Sequence, residues 1–384
     1  MNMIVTVCQT INYKLMKRVI TIFSILLFTL SSIANEGHHA NGDTTNIAEE
    51  EEFNASEVIM HHISDAHNWH LFDITNKETG EVKPIGIPLP IIVFYKGQLD
   101  IFMSSEFHEG HSSVSRQGNK YPTYRGDNEY ILYHDKIYVS SNGELNFDEH
   151  HHPTNVQPID ISITKNIAAM IFSAILLLVV FITMARMYKG NKIPRGIQGF
   201  LEPIVLFVVN DIAKPNIQGD KYKKYVPFLL TVFFFIWFNN MLGIIPILPG
   251  GANVTGNIAV TLTLAVFTML ITNFSGNKAY WGHIIAPPVP KWLLFIMVPV
   301  ELISVISKPF ALMIRLFANI TAGHIIVLSL ISLIFIFKTI FISPLSVGFV
   351  LFIDIIELLV AILQAYIFTL LSALYIGMAV QEHH

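Results

Sequence analysis

The stretch that decides the fold reads Pro299-Val-Glu301-Leu-Ile-Ser-Val-Ile-Ser307-Lys308-Pro309-Phe-Ala-Leu-Met-Ile-Arg315-Leu-Phe-Ala-Asn319-Ile-Thr-Ala-Gly323-His324, and it stays apolar to Phe337. About 20 apolar residues cross a bilayer as a helix, and this run is roughly twice that length. A charge at bilayer depth is costly and marks an ion path by default. Arg315 is such a charge. Glu301, Lys308 and Arg315 are spaced by seven, so they fall near one helix face, with Asn319 one turn further on. His324 lies about half a rotation away and looks elsewhere. Lys308 is suited to snorkel toward the cytoplasmic interface.

A second long apolar run, Pro344–Met378, carries Asp354, Glu357 and Gln364. Lys338 and Ser343-Pro344 supply the connection, with Ser343 expected as the N-cap and Pro344 in the first turn. At 1.5 Å per residue each run makes a helix of about 60 Å, against a hydrocarbon core of about 30 Å. Ordinary tilt does not absorb that excess. The expectation is a long antiparallel hairpin inclined across the membrane. Folding it near residue 340 pairs positions whose numbers sum to a constant. Arg315 with Gln364 gives 679 and His324 with Glu357 gives 681, so one register levels both polar pairs.

Working outward, further spans are expected at Asn166–Met187, Tyr225–Leu248 and Asn257–Phe274, giving five crossings. Gly199–Ala213, with Glu202 and Asp211, reads as an interfacial helix apolar on one side. The loop after the first span holds Arg186, Lys189, Lys192, Arg195, Lys214, Lys221, Lys223 and Lys224, which places it in the cytoplasm. The uncharged loop Pro249–Thr255 then faces outward, Lys278 and Lys291 mark a return, and the C-terminus is cytoplasmic.

The N-terminal part differs. Met16-Lys17-Arg18, the apolar run Val19–Leu30 and Ser32-Ile33-Ala34 predict a signal peptide over 1–34, with Met16 as a candidate start. Residues 35–160 read as an exported domain with an acidic, His-dotted tail and a β-rich part, the transmembrane domain occupying 161–384. An N-terminal cap at Asn54 with Glu57 is expected, then strands at Trp69–Ile74, Ile91–Tyr95, Leu99–Met103 and Tyr130–Val139, before Asn142-Gly143. The histidines there, including His61, His62, His67, His70 and His150–His152, lack a convincingly placed carboxylate ligand, so no metal site is expected. The single cysteine, Cys8, excludes a disulfide framework. With 14% charged residues and no basic patch interleaved with aromatics, nucleic acid is not an expected partner. The fold class is an all-α polytopic membrane protein with a small N-terminal β-rich periplasmic domain.

The chemistry follows from the groups. His and Glu gain and lose protons, and close together they titrate as one unit. Arg does not release its proton, so it attracts a carboxylate and blocks a direct leak. A relay outside, a fixed cation at the centre and an acid inside describe two half-pathways separated by a gate, past which a partner's mobile carboxylate carries the proton.

Arg315-Leu-Phe-Ala-Asn319-Ile-Thr-Ala-Gly323-His324 resembles the signature of subunit a of the F-type ATP synthase. Ser307-Lys308-Pro309, Leu363-Gln364-Ala365-Tyr366-Ile367-Phe368 and Asn239-Asn240-Met-Leu-Gly243-Ile-Ile-Pro246 resemble its other motifs, in order, over roughly residues 160–384. The resemblance implies a stator beside a ring of c subunits, with peripheral-stalk b subunits and membrane lipid as further partners, in a bacterial inner membrane. Arg315 would face the ring carboxylate. Asn319, His324, Glu357 and Gln364 would line the periplasmic half-channel, Glu301 would belong to the cytoplasmic one, and Asn240 and Lys308 would support them. The acid on the last helix and the imidazole on the one before match the arrangement of mitochondrial members. Ala318 stands where many members have Gly, and the exported domain exceeds the family minimum. No cofactor and no catalytic residue is implied. A stand-alone ion-coupled transporter is the alternative, but it usually carries internal repeats with matched broken helices, which this sequence lacks. An intramembrane hydrolase would need a nucleophile with a base or two facing aspartates, and Asp354 has no second membrane Asp. A purely structural scaffold leaves the level polar pairs unexplained.

Overall fold

The computed structural model describes residues 55–381 apart from 57–58, 60–62, 76–81, 110–113, 117–118, 122, 127, 141–144, 149–151, 191–195, 246–250, 288 and 338–340. The signal peptide, the acidic tail, the Asn54/Glu57 cap, Asn142-Gly143 and Lys338 lie outside the described residues. The chain divides into a compact unit of Met60–Ala169 and another that contains Met170–His384.

Among its described residues, the first unit holds ten short strands. β1 (Asn68–Thr75) pairs with β2 (Val82–Pro88), and β5 (Val114–Arg116) pairs with β6 (Asn119–Tyr121). A three-stranded sheet runs β10-β3-β4, from Ile159–Asp160, Pro90–Tyr95 and Gln98–Met103. A second joins β7 (Thr123–Arg125), β8 (Glu129–Tyr133) and β9 (Lys136–Ser140). Alternation along the strands sends Ile91, Val93, Phe102, Tyr130 and Ile137 into one core with Phe107. The single strand expected over Tyr130–Val139 is in fact a hairpin. His134 and Asp135 both take positive φ, 47° and 59°, which is the backbone a two-residue turn between antiparallel strands demands.

Polar groups at the root of this unit are paired. Asp65 accepts hydrogen bonds from the Thr164 hydroxyl and the Asn166 N–H, each at 3.0 Å. His67, 2% exposed, places Nε2 2.9 Å from Asp160 Oδ2. Burial alone would push the imidazole down, yet the hydrogen bond and charge of Asp160, with Asp135 and Asp65 behind, hold it above its ordinary value. Burial would raise Asp160, but the same bond to His67 holds it below the usual carboxylate range. Burial pushes Asp65 up against its hydrogen bonds. His67 precedes β1 and His70 lies within it.

Among the described residues, five helices are long and apolar enough to cross a membrane: α1 (Lys165–Gly190), α3 (Tyr222–Ile244), α4 (Ile258–Ser275), α6 (Leu294–Phe337) and α7 (Ile342–Val380). The chain is a multi-pass membrane protein. α3 is the hub, its most apolar window 67% buried against 11% for α6 and for α7. Between α1 and α3, α2 (Ile197–Phe207) buries Leu201 and Val205 yet exposes Ile197 and Phe200, so it is apolar on more than the one side expected. It runs into a π-helical stretch, Val208–Ala213, whose wider turn buries the adjacent pairs Val208-Val209 and Ile212-Ala213.

α6 and α7 form the hairpin, with 44 and 39 residues, or about 66 and 58 Å. Phe341 stands at the N-cap of α7 without a side-chain bond, so Ser343 is inside the helix and is not its cap. Further in, the Ser346 hydroxyl donates to the Leu330 carbonyl and ties α7 to α6. At the far end, the carbonyls that every helix C-terminus leaves unpaired find donors. Ala379 accepts from the Asn277 N–H, Val380 from Lys221 Nζ at 3.3 Å and Gln381 from Asn277 Nδ2 at 2.7 Å. Gly377 packs directly on the Asn216 carbonyl, where a Cβ would collide with backbone.

Candidate functional site

The site lies along the hairpin. α6 buries Pro309, Leu312, Met313, Leu316 and Ile320, a stripe at helical spacing. That stripe leaves Arg315 and Asn319 on the exposed side, among Ile306, Phe310 and Ile314. Among the described residues, no carboxylate forms an ion pair with Arg315. Its charge acts instead on the Tyr375 hydroxyl of α7. Gln364, by contrast, is buried, 4% exposed. The expected Arg315/Gln364 layer therefore joins one exposed and one buried group.

Glu357 lies on Gly323, so closely that a Cβ at 323 would overlap its carboxylate. The glycine is required by that approach. His324 is the next residue, but its ring turns the other way. Its Nε2 comes 3.6 Å from where a side chain at Gly243 of α3 would begin. Glu357 Oε1 is buried and has no hydrogen-bond partner among the described residues. The structure thus brings the two groups into one layer without a direct bond between them. The missing side chain at Gly323 makes room for Glu357, and His324 rests in ordinary contact distance of Gly243. Asp354, one turn earlier, adds a like charge that acts on Glu357.

Asn240 has a different role from the others. It is 1% exposed, donates through Nδ2 to the Ala361 carbonyl at 3.4 Å and accepts from the Thr255 hydroxyl at 2.5 Å. It braces α3 against α7 and against the Val254–Gly256 turn, with its amide spent on structure.

At the other end of the hairpin a small cleft is lined by Thr268, Thr272, Asn273, Tyr280, Lys308 and Tyr375. Lys308 Nζ sits 5.8 Å from the centre of the Tyr375 ring, the approach of a cation to an aromatic face. Tyr280 belongs to α5 (Lys278–Ile285) and donates to Asn273 Oδ1 at 3.0 Å. Burial, and then the nearby Glu301 carboxylate, hold its phenol above the ordinary range. Glu301 is half-buried beside this cleft and not at Arg315.

A family model described as ATP synthase A chain matches residues 167–377. The chain belongs to that family. Relatives named ATP synthase subunit a agree: one from Chloroherpeton thalassium is 49% identical over 235 residues, covering 59% of this chain and 69% of the relative. One named subunit a 2 from Chlorobaculum tepidum is 50% identical over 244 residues, 61% of this chain and 68% of the relative. Another from Prosthecochloris aestuarii is 48% identical over 230 residues, 57% and 69% respectively. A separate model, described as a domain of unknown function, matches residues 58–161.

The residue pattern picks out the charged groups but not Tyr280, Tyr375, Thr268 or Thr272. Hydroxyls in an apolar helix carry little signal, and only the fold gathers them around Lys308.

Proposed function

We propose that this chain is the proton-conducting stator subunit of a rotary ATP synthase, non-catalytic itself, set in a bacterial inner membrane beside a ring of proteolipid c subunits and held by peripheral-stalk b subunits. Arg315 is the gate. The observation that carries the reading is a permanent cation on an exposed apolar helix face with no carboxylate partner of its own chain among the described residues. A charge so placed needs an anion from outside, and a ring carboxylate passing along that face supplies one. The attraction favours the deprotonated acid opposite Arg315, so each carboxylate must give up its proton on one side and gain one on the other.

Asn319, His324, Glu357 and Gln364 border the periplasmic entry, with protons passing between imidazole and carboxylate through water in the crevice. Glu301, with Lys308 and the Tyr280/Tyr375 cleft, borders the cytoplasmic exit. The β-rich unit is periplasmic and the C-terminus cytoplasmic. The test is ATP-driven acidification of inverted vesicles by complexes that purify with all subunits. Arg315→Ala should lower it about 100-fold or more. Normal pumping by the assembled variant would end the gate proposal.

A further inference from the structure

The β10-β3-β4 sheet is apolar on both faces. Its inner face supplies Ile91, Val93 and Phe102 to the core. On the outer face, strand pairing sets Ile159, Phe94 and Leu99 in one row, Ile92 with Ile101 in the next and Pro90 with Met103 in the third. Directly paired residues share a face. Ile159 is 63% exposed, Ile101 64% and Leu99 55%. Asp100 does not break the patch, because its carboxylate turns inward to accept from the Tyr130 hydroxyl and Asn128 Nδ2. An antiparallel sheet with one face in water normally alternates apolar inside with polar outside. The β7-β8-β9 sheet of the same unit follows that rule, with no large apolar side chain exposed among its described residues. The outer face of β10-β3-β4 breaks it, and contiguous exposed apolar area of this kind marks a contact.

What covers it follows from where the chain goes next. Beyond β10 the strand pairing continues, as the Ile161 N–H donates to the Ile92 carbonyl at 2.9 Å and the Ile163 N–H to the Pro90 carbonyl at 3.1 Å. Ile163 is two residues before Lys165, the first residue of the membrane helix α1. Two residues reach about 7 Å, and the two neighbouring strands add about 5 Å each. Ile159 lies six residues, about 20 Å along the strand, before Lys165, so the patch spans distances of about 10–25 Å from the first residue of α1. At the β3–β4 turn, Lys96 Nζ rests 5.0 Å from the centre of the Tyr95 ring, an aromatic and a long cation of the kinds that sit at headgroup level.

We propose that this sheet face lies in the outer lipid interface, and that its occupant is phospholipid at the boundary of headgroups and acyl chains. The sheet is then a foot of the β-rich unit on the membrane. The inference rests on α1 crossing the membrane and is independent of the role of Arg315.

The test uses the intact complex in vesicles of phosphatidylcholine and phosphatidylglycerol, with Cys8→Ser and one nitroxide at Leu99→Cys, Ile101→Cys or Ile159→Cys. Thr154→Cys, on an exposed polar segment, is the control. At the three patch sites, collisions with dissolved oxygen should exceed those with a water-soluble nickel complex several-fold, and at 154 the order should reverse. Nickel-dominated collisions at the patch would put it in water and overturn the proposal. Low collision with both reagents would mean a protein cover, a second copy or a neighbouring subunit, and would overturn it equally. Three independent sites keep the reading available if one variant fails to assemble.

Discussion

The two units treat charge in apolar surroundings in opposite ways. In the Met60–Ala169 unit every buried acid described at its root has a partner: Asp65 takes two hydrogen bonds, and Asp160 takes His67. In the hairpin, among the described residues, Glu357 Oε1 is buried without a bond and Arg315 stands exposed without an acid. Burying a charge is tolerated when it is paired and costly when it is not. Paired groups therefore hold a fold, whereas groups left unpaired are held ready for something the chain does not contain. On this contrast, changes in the hairpin should stop transport and leave assembly intact, and changes at the root should do the reverse.

The largest effect after loss of Arg315 is expected at the proton layer. His324→Ala or Glu357→Ala should each lower ATP-driven acidification roughly 100-fold, the scale of one lost proton-transfer group. The exchange His324→Glu with Glu357→His should retain more. If it is as damaging as either single change, the relay fails. A smaller loss is expected for Gly323→Val, which adds bulk where Glu357 rests. Overpacking costs about 1–3 kcal/mol, so pumping should drop about tenfold while the subunit still assembles. Unchanged pumping would show that the Glu357 position is immaterial.

At the root, His67→Ala should destabilise the β-rich unit by about 2 kcal/mol, the scale of a hydrogen bond to a charged group. Hydrogen exchange at β1 and β10 would read it, and pumping per assembled complex should not change. A pumping defect without faster exchange would break the contrast. The smallest effect is the pH dependence. A histidine lifted above 6.5 contributes stability that is full below that value and lost as pH rises through the folded pKa. Raised Asp65 has the same sign, while lowered Asp160 contributes stability lost only as pH falls below its usual 3.8. Exchange protection should thus be greatest at mildly acid pH and fall above neutrality, and His67→Gln should flatten the fall. An increase in protection with rising pH would contradict the assignment.

Much of this was legible in the residues. Long apolar runs announce spans because the bilayer sets their length, and all five fall within a few residues of their expected bounds, α6 beginning five residues before Pro299. The charges stood out because they are rare there. The approach of His324 to Gly243 was not legible, since it depends on how a separate helix, α3, packs. Nor was the His134-Asp135 turn, whose positive φ values fall on residues other than glycine. The apolar residues Tyr130–Tyr133 and Ile137–Val139 flank His134-Asp135-Lys136, a reversal that carries neither Gly nor Pro. The brace at Asn240 needed the distant Ala361 carbonyl to declare itself.

The most direct measurement is a density map of the intact complex that gives the nearest carboxylate to the Arg315 guanidinium. The account predicts that it comes from a helix of a neighbouring ring subunit packed on the exposed face of α6. A nearest carboxylate from this same chain, with no ring alongside, would contradict it.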